Sequence, residues 1–184
     1  PNTIQLRKFE KEEKNNRELS KNLYSIIKKM PKKSHPMDVA RTAVSVMGLE
    51  DKETQDSSPE ANMRKAIRIL AKTPTALAAF YRVRKGQKIL KPKKNLIMSE
   101  NFFYMCFGKV PQKEIVKAFD VSLILYAEHG FNVSTFTART ITSSLSDIHG
   151  AITGAIASLK GPLHGGANEE VMHMMNKIKK PENA

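Results

Sequence analysis

The chain has 184 residues, with 31 Lys+Arg against 18 Asp+Glu, a formal net charge of +13, one Cys and no Trp. That length is room for one domain at about 100–200 residues each, and 40% hydrophobic with 27% charged residues is the make-up of a folded globular chain rather than a disordered one. The single Cys106 excludes an intramolecular disulfide and a multi-Cys zinc site; with no run near the roughly 20 apolar residues of a membrane helix and no secretory leader, a soluble, cytoplasmic, membrane-free protein is expected.

The charge is uneven. Residues 1–94 hold 23 Lys+Arg and 10 Asp+Glu, whereas residues 95–184 hold 8 of each. Any nucleic-acid function would belong to the first part. The first residue is Pro1 rather than Met, so a processed product or a cut from a longer chain is expected.

In chain order, the first apolar stripe at helical spacing is Leu19, Leu23, Ile26, Ile27 and Met30, ending before Pro31. Ser34-His35-Pro36 reads as a helix start, followed by Met37, Ala40, Val44 and Met47, with Gly48 as the stop. Residues 51–60 are polar and read as a loop. A long helix follows through Met63, Ile67, Leu70, Leu77, Phe80 and Tyr81, with a kink expected at Pro74 and an end at Gly86. Residues 88–94 form a basic connector, and 101–107 a short aromatic helix closed by Gly108. Ile115, Val116, Phe119, Leu123, Ile124 and Tyr126 mark a further helix. Residues 140–160 read as one long helix, with Gly150, Gly154 and Ser158 four apart on a face able to accept a neighbouring backbone. Gly161-Pro162 stops it, and a last helix carries Ala167, Val171, Met174, Met175 and Ile178. No run alternates at period two, so the fold class is all-α.

The five His residues carry most of the candidate chemistry. His35 reads as a cap, and His149 and His173 as packing or surface positions within helices. No His pair stands at i, i+4 with a carboxylate, which argues against a metal site. His164 follows a helix-ending Gly-Pro and precedes two Gly and a new helix. That layout places an imidazole at a helix N-terminus among free backbone N–H groups. The positive field there disfavours imidazolium, and a neutral ring can donate to a carbonyl oxygen becoming an enolate. A plain interhelix turn accounts for the same residues. His129 falls at another helix end, before Gly130, with Asn132 a fair N-cap for the next segment.

Taken together and in order, His35-Pro36-Met37-Asp38, Ala127-Glu128-His129-Gly130-Phe131-Asn132-Val133-Ser134-Thr135, Thr137-Ala138-Arg139 and Gly161-Pro162-Leu163-His164-Gly165-Gly166-Ala167-Asn168-Glu169 resemble the citrate synthase family across essentially the whole chain. The resemblance implies a helical homodimer with no permanently bound cofactor. It implies acetyl-CoA and oxaloacetate as substrates, joined to give citrate and CoA. His164 matches the His that hydrogen-bonds the thioester oxygen, and His129 the His that binds the oxaloacetate carbonyl. By position, Ser134 would orient His164, and Asn132 and Gly165 would line the same cavity. The family's Gly-x-Gly-His-Arg motif, catalytic Asp and carboxylate-binding Arg residues do not follow His164 in this sequence. Residues 1–184 are therefore expected to form an incomplete large helical domain, without the small domain or the C-terminal helices, and to be inactive alone.

The alternative within the family is a 2-methylcitrate synthase using propionyl-CoA; one methylene is worth only about 1–3 kcal/mol, so few side chains decide it. The remote alternative is a basic helical nucleic-acid-binding module, but the basic residues are spread over several helices and no recognition motif stands out, so no nucleic-acid partner is expected. By position, residues 36–47 and 61–84, with small residues at Ala40, Ala43 and Ser45, are the expected pairing helices of the dimer. The run Arg82, Arg84, Lys85, Lys88, Lys91, Lys93 and Lys94 is expected to be a solvated connector, or else an attractor of CoA phosphates.

Overall fold

A computed structural model describes residues 2–127, 131–179 and 182. Among the described residues there is helix and no strand, in the order α1 (Thr3–Asn15), α2 (Lys21–Lys29), α3 (Pro36–Glu50), α4 (Pro59–Arg84), α5 (Met98–Phe107), α6 (Lys113–Tyr126), α7 (Val133–Ser143), α8 (Ile148–Leu159) and α9 (Gly166–Ile178). The all-α expectation holds.

Local chemistry explains most helix starts. Asn2, Ser20, Ser58, Asn132 and Asp147 each accept a backbone N–H of the first turn through a side-chain oxygen. Pro36 and Pro59 occupy first-turn positions, where a missing N–H costs nothing. Gly86 and Gly108 adopt positive φ of 69° and 80° just past α4 and α5, as helix-closing glycines do.

The main core joins α2, α3 and α4. Leu23 and Ile27 pack with Val39, Ala43 and Met47, and with Ala76, Ala79 and Phe80. The stripes of these helices therefore meet one another, as period 3.6 requires. A second cluster forms where Ala78 meets Met105 and Cys106 of α5. Phe119 of α6 stacks on Phe102 at 5.7 Å and meets Phe103 edge-on at 5.0 Å. Burial pushes the Cys106 thiol up to about 11, so it is an unreactive packing group.

Four sequence expectations change here. First, α1 lies ahead of Leu19; its only buried residue is Glu13, so it shows no apolar stripe to read. Second, α3 does not stop at Gly48 but runs to Glu50. Gly48 is there for space: a Cβ on it would lie 2.8 Å from the Cβ of His149. Third, the expected helix 140–160 is two helices. The chain turns at Leu145, with φ of 64°, and Asp147 restarts it by accepting the N–H groups of His149 and Gly150 at 2.8 and 3.0 Å. Asp147 is thus a cap rather than a mid-helix residue. The small face of α8 does accept α7, for a Cβ on Gly154 would lie 2.2 Å from Ile141 Cδ1. Fourth, the small residues Ala40 and Ala43 of α3 face the core of their own chain. Ala40 and Ala43 are 3% and 0% exposed, and α3 packs on α2, α4 and α8 of the same chain. α4 keeps apolar side chains at its surface, with Met63 and Leu70 63% and 45% exposed. Exposed apolar side chains also lie on α6, including Ile124 and Leu125, on α7 at Phe136, and on α9 from Val171 to Met175.

No helix among the described residues is long and apolar enough to cross a membrane.

Candidate functional site

The segments 131–134 and 161–166 come together at the mouth of the α7–α8 pair. α8 ends at Leu159, and the chain reverses through a tight turn into α9. The Gly161 carbonyl organises that turn, accepting the N–H groups of His164 at 2.9 Å and Gly165 at 3.1 Å. The sequence layout suggested free N–H groups around His164. The turn uses these two internally, because a reversal this tight brings them back onto Gly161 O. Gly165 is the N-cap of α9, so His164 does stand at the positive end of that helix. A Cβ on Gly165 would lie 2.1 Å from Leu159 O, so only glycine permits this closure.

Across from the turn, α7 begins at Val133. Asn132 Oδ1 accepts the Thr135 N–H at 3.1 Å and also the Ser134 hydroxyl. This cap presents Ser134 to His164. The Ser134 N–H donates to His164 Nε2 at 3.3 Å, and Ser134 Oγ lies 3.0 Å from the same nitrogen. The two contacts fix the position of the His164 ring against the first turn of α7. Asn132, Ser134, His164 and Gly165 are all half-buried, accessible from one side. The structure thus brings together four of the five candidate residues; His129 lies outside the described residues.

The stems of the turn are tied to α3. Lys160 at the end of α8 pairs with both oxygens of Asp38 at 2.8 and 2.7 Å. That hydrogen bond holds the Asp38 carboxyl below its usual range. His35 caps α3 by accepting the Met37 N–H on Nδ1, and its Nε2 lies 3.9 Å from Glu169 of α9. The motif residues His35 and Asp38 thus act on the frame of the turn.

His149 is a residue the sequence undervalued. It is 2% exposed, with Nε2 3.5 Å from Asp51 and Nδ1 3.6 Å from Asp147. Asp51 is gripped by Arg68 through two hydrogen bonds of 2.8 and 2.9 Å. Burial opposes the Asp51 charge, but the Glu53 N–H and the Arg68 guanidinium outweigh it and keep its pKa below the usual value. Burial also pushes the His149 pKa down, against the pull of both carboxylates. The available signal was its spacing: His149 stands two residues after a Ser-Asp cap, on the face opposite Gly48. Lys65 was missed likewise. It is 0% exposed and donates to the carbonyls of Asp56 at 2.5 Å and Thr54 at 3.4 Å, holding the 51–58 loop on α4.

The basic run is a solvated connector with a few local ties: Arg84, Lys85, Lys88, Lys91, Lys93 and Lys94 are exposed, and Arg82 is half-buried. Arg82 donates to the Cys106 carbonyl at 3.0 Å, Lys93 sits 4.1 Å over the Tyr104 ring, and Lys94 donates to Asn15 at 2.9 Å. Buried Arg17 holds the carbonyls of Lys93 and Leu96 at 2.8 and 2.9 Å. Among the described residues no group of three or more His, Cys, Asp or Glu could hold a metal ion.

Comparison with known proteins bears on this site. The family model described as citrate synthase, C-terminal domain, matches residues 1–184. The chain is 48% identical over 184 residues to a 2-methylcitrate synthase of Mycobacterium tuberculosis, covering 100% of this chain and 46% of that protein. It is 47% identical over 182 residues to a citrate synthase of Mycolicibacterium smegmatis, covering 99% of this chain and 48% of that one. The crystal structure of citrate synthase from Pyrobaculum aerophilum superposes with a TM-score of 0.91 at 34% identity, over 99% of this chain and 47% of that chain. Citrate synthase from Thermoplasma acidophilum, in a ternary complex with carboxymethyl coenzyme A and oxaloacetate, superposes with a TM-score of 0.89 at 27% identity, over 99% and 48% respectively. The chain thus spans about half the length of these relatives. With a family match over every residue, and the Ser134–His164 pair joining two motifs that carried the resemblance, the chain belongs to the citrate synthase family.

Proposed function

We propose that the intact protein to which these residues belong condenses acetyl-CoA with oxaloacetate and hydrolyses the product thioester to citrate and CoA. The observation that carries this reading is the Ser134–His164 contact, with Nε2 engaged by the Ser134 N–H at 3.3 Å. It holds the imidazole at the N-terminus of α9. In that role His164 donates a hydrogen bond to the thioester oxygen as the methyl carbon loses its proton. Because the bond strengthens as charge develops on that oxygen, it lowers the barrier rather than tightening substrate binding. A neutral donor suits the step, because it need not part with its proton completely.

The other roles follow the same reading. His129 binds the oxaloacetate carbonyl, Asn132 and Gly165 shape the cavity, and the base that takes the methyl proton is a carboxylate outside residues 1–184. The protein acts as a homodimer in the cytoplasm, with acetyl-CoA as a substrate and no permanently bound cofactor. The Thermoplasma complex with oxaloacetate and a CoA analogue supports substrates of this kind. Relatives named for acetyl and for propionyl chemistry match at nearly equal identity, 47% and 48%, so the acyl group is decided by assay.

The experiment is thiol release by the intact enzyme with oxaloacetate and either acetyl-CoA or propionyl-CoA. The reading expects acetyl-CoA to give the higher kcat/KM. A preference for propionyl-CoA would assign the 2-methylcitrate reaction, and no release with either would remove the proposal.

A further inference from the structure

The basic excess of residues 1–94 has a focus away from His164. α2 presents Lys21, Tyr24 and Lys28 at i, i+3 and i+7 on one face. Facing it runs the segment after α4, with Lys88 and Lys91. Between them is a cleft of about 610 Å3, within the size range of small-molecule sites, with Val83 and Ile89 as an apolar lining continuous with the main core. Glu18 is the one acid in its wall and is paired with Lys91 at 3.1 Å. Lys21, Lys28 and Lys88 form no ion pair among the described residues, so the cleft holds an excess of positive charge. The Tyr24 hydroxyl is buried in the same wall beside Glu18, with no hydrogen bond of ordinary length among the described residues. Burial, reinforced by the Glu18 charge, pushes its pKa up to about 12, so it remains a proton donor at neutral pH.

We propose that this cleft binds a small phosphate monoester carrying an apolar group. Three ammonium groups from two walls suit a multi-oxygen dianion, which lysines meet as point charges from several directions. A lone carboxylate has one charge and two oxygens, and its best match is the planar Arg fork, which the lining lacks. The apolar lining gives an ester's organic group a surface that free phosphate cannot use. The Tyr24 hydroxyl supplies the neutral donor to a phosphate oxygen. This site is independent of the condensation chemistry proposed for His164.

The test is calorimetric titration of the chain with phenyl phosphate, inorganic phosphate and benzoate as probes. Phenyl phosphate should bind at one site at least about tenfold more tightly than either fragment, and weaken with added salt. Lys21→Ala with Lys88→Ala should weaken it about tenfold or more, and Tyr24→Phe about threefold or more. Tyr24→Phe removes a single oxygen, so it keeps the test valid where the double variant melts early. Lys109→Ala with Lys113→Ala, in the charge-balanced part of the chain, should change nothing. Equal binding of benzoate, equal loss in the Lys109/Lys113 pair, or no saturable binding of phenyl phosphate would each overturn the proposal.

Discussion

The Ser134 backbone N–H points at His164 Nε2 across 3.3 Å, joining the first turn of α7 to the turn before α9. The bond comes from the main chain, so a side-chain change at Ser134 leaves it in place. His164→Ala in the intact enzyme is therefore expected to lower kcat by about 10²–10³ with little change in the oxaloacetate KM. Ser134→Ala should cost no more than about tenfold, since the ring keeps its main-chain donor. Steady-state kinetics check both, and nitrogen NMR of the His164 ring should show the same tautomer in wild type and Ser134→Ala.

Glycine substitutions should separate by what each new Cβ meets. At Gly154 the obstacle is Ile141 Cδ1, the far end of a flexible side chain, and alanine also favours helix by about 1 kcal/mol, so Gly154→Ala should be near neutral. At Gly48 the obstacle is the His149 Cβ at 2.8 Å, and Gly48→Ala should lose about 1–3 kcal/mol. At Gly165 it is the Leu159 carbonyl, which is backbone, so Gly165→Ala should displace the turn that carries His164. Urea unfolding ranks the first two, and the His164 ring shifts report the third.

Arg17 and Glu13 form a buried ion pair, 2% and 5% exposed, with bonds of 2.7 and 2.6 Å, while Arg17 also holds two carbonyls of the 93–96 segment. Arg17→Met should destabilise by about 3–5 kcal/mol, because it strands a carboxylate and two carbonyls. Adding Glu13→Gln should recover part of that loss. Denaturant midpoints of the two variants give the comparison; an exposed pair such as Lys91–Glu18 should contribute no more than about 1 kcal/mol.

Acid should loosen the α3–α8 seam. The folded-state pKa of His149 lies below the ordinary imidazole value of about 6.5, chiefly through burial, with Lys65 and Arg68 acting in the same direction and Asp51 and Asp147 against it. The unfolded chain thus takes up a proton at higher pH than the folded one. This group's stabilisation is complete above about pH 6.5 and is lost as pH falls from there towards the folded value. Wild type should therefore lose more melting temperature between pH 7.5 and 5.5 than His149→Gln does. An equal slope in the two proteins would assign the acid limb to other groups.

Much of this protein was legible in its sequence because much of it is local. The stripe through Leu23 and Ile27 and the cap at His35-Pro36 are matters of period and chain-end chemistry, and each produced a helix where read, whereas Ser58-Pro59, read as loop, caps and opens α4. The motifs around His164 and Ser134 were also visible, as text. Tertiary structure alone decided their meeting, since the two stand 30 residues apart and are joined only by the return of α8 against α7. The same reason explains the failures. Gly48 looked like a stop because a glycine within a helix weakens it, and only the approach of His149 shows what the missing side chain makes room for. The break at Leu145 was hidden because its apolar neighbours kept helical spacing on both sides. α1 was missed because its fixed point is Glu13: the i, i+4 pairing with Arg17 is legible, but its burial depends on the distant 93–96 segment that Arg17 holds. Periodicity reports which face of a helix will be buried; what buries it depends on contacts between segments distant in the chain.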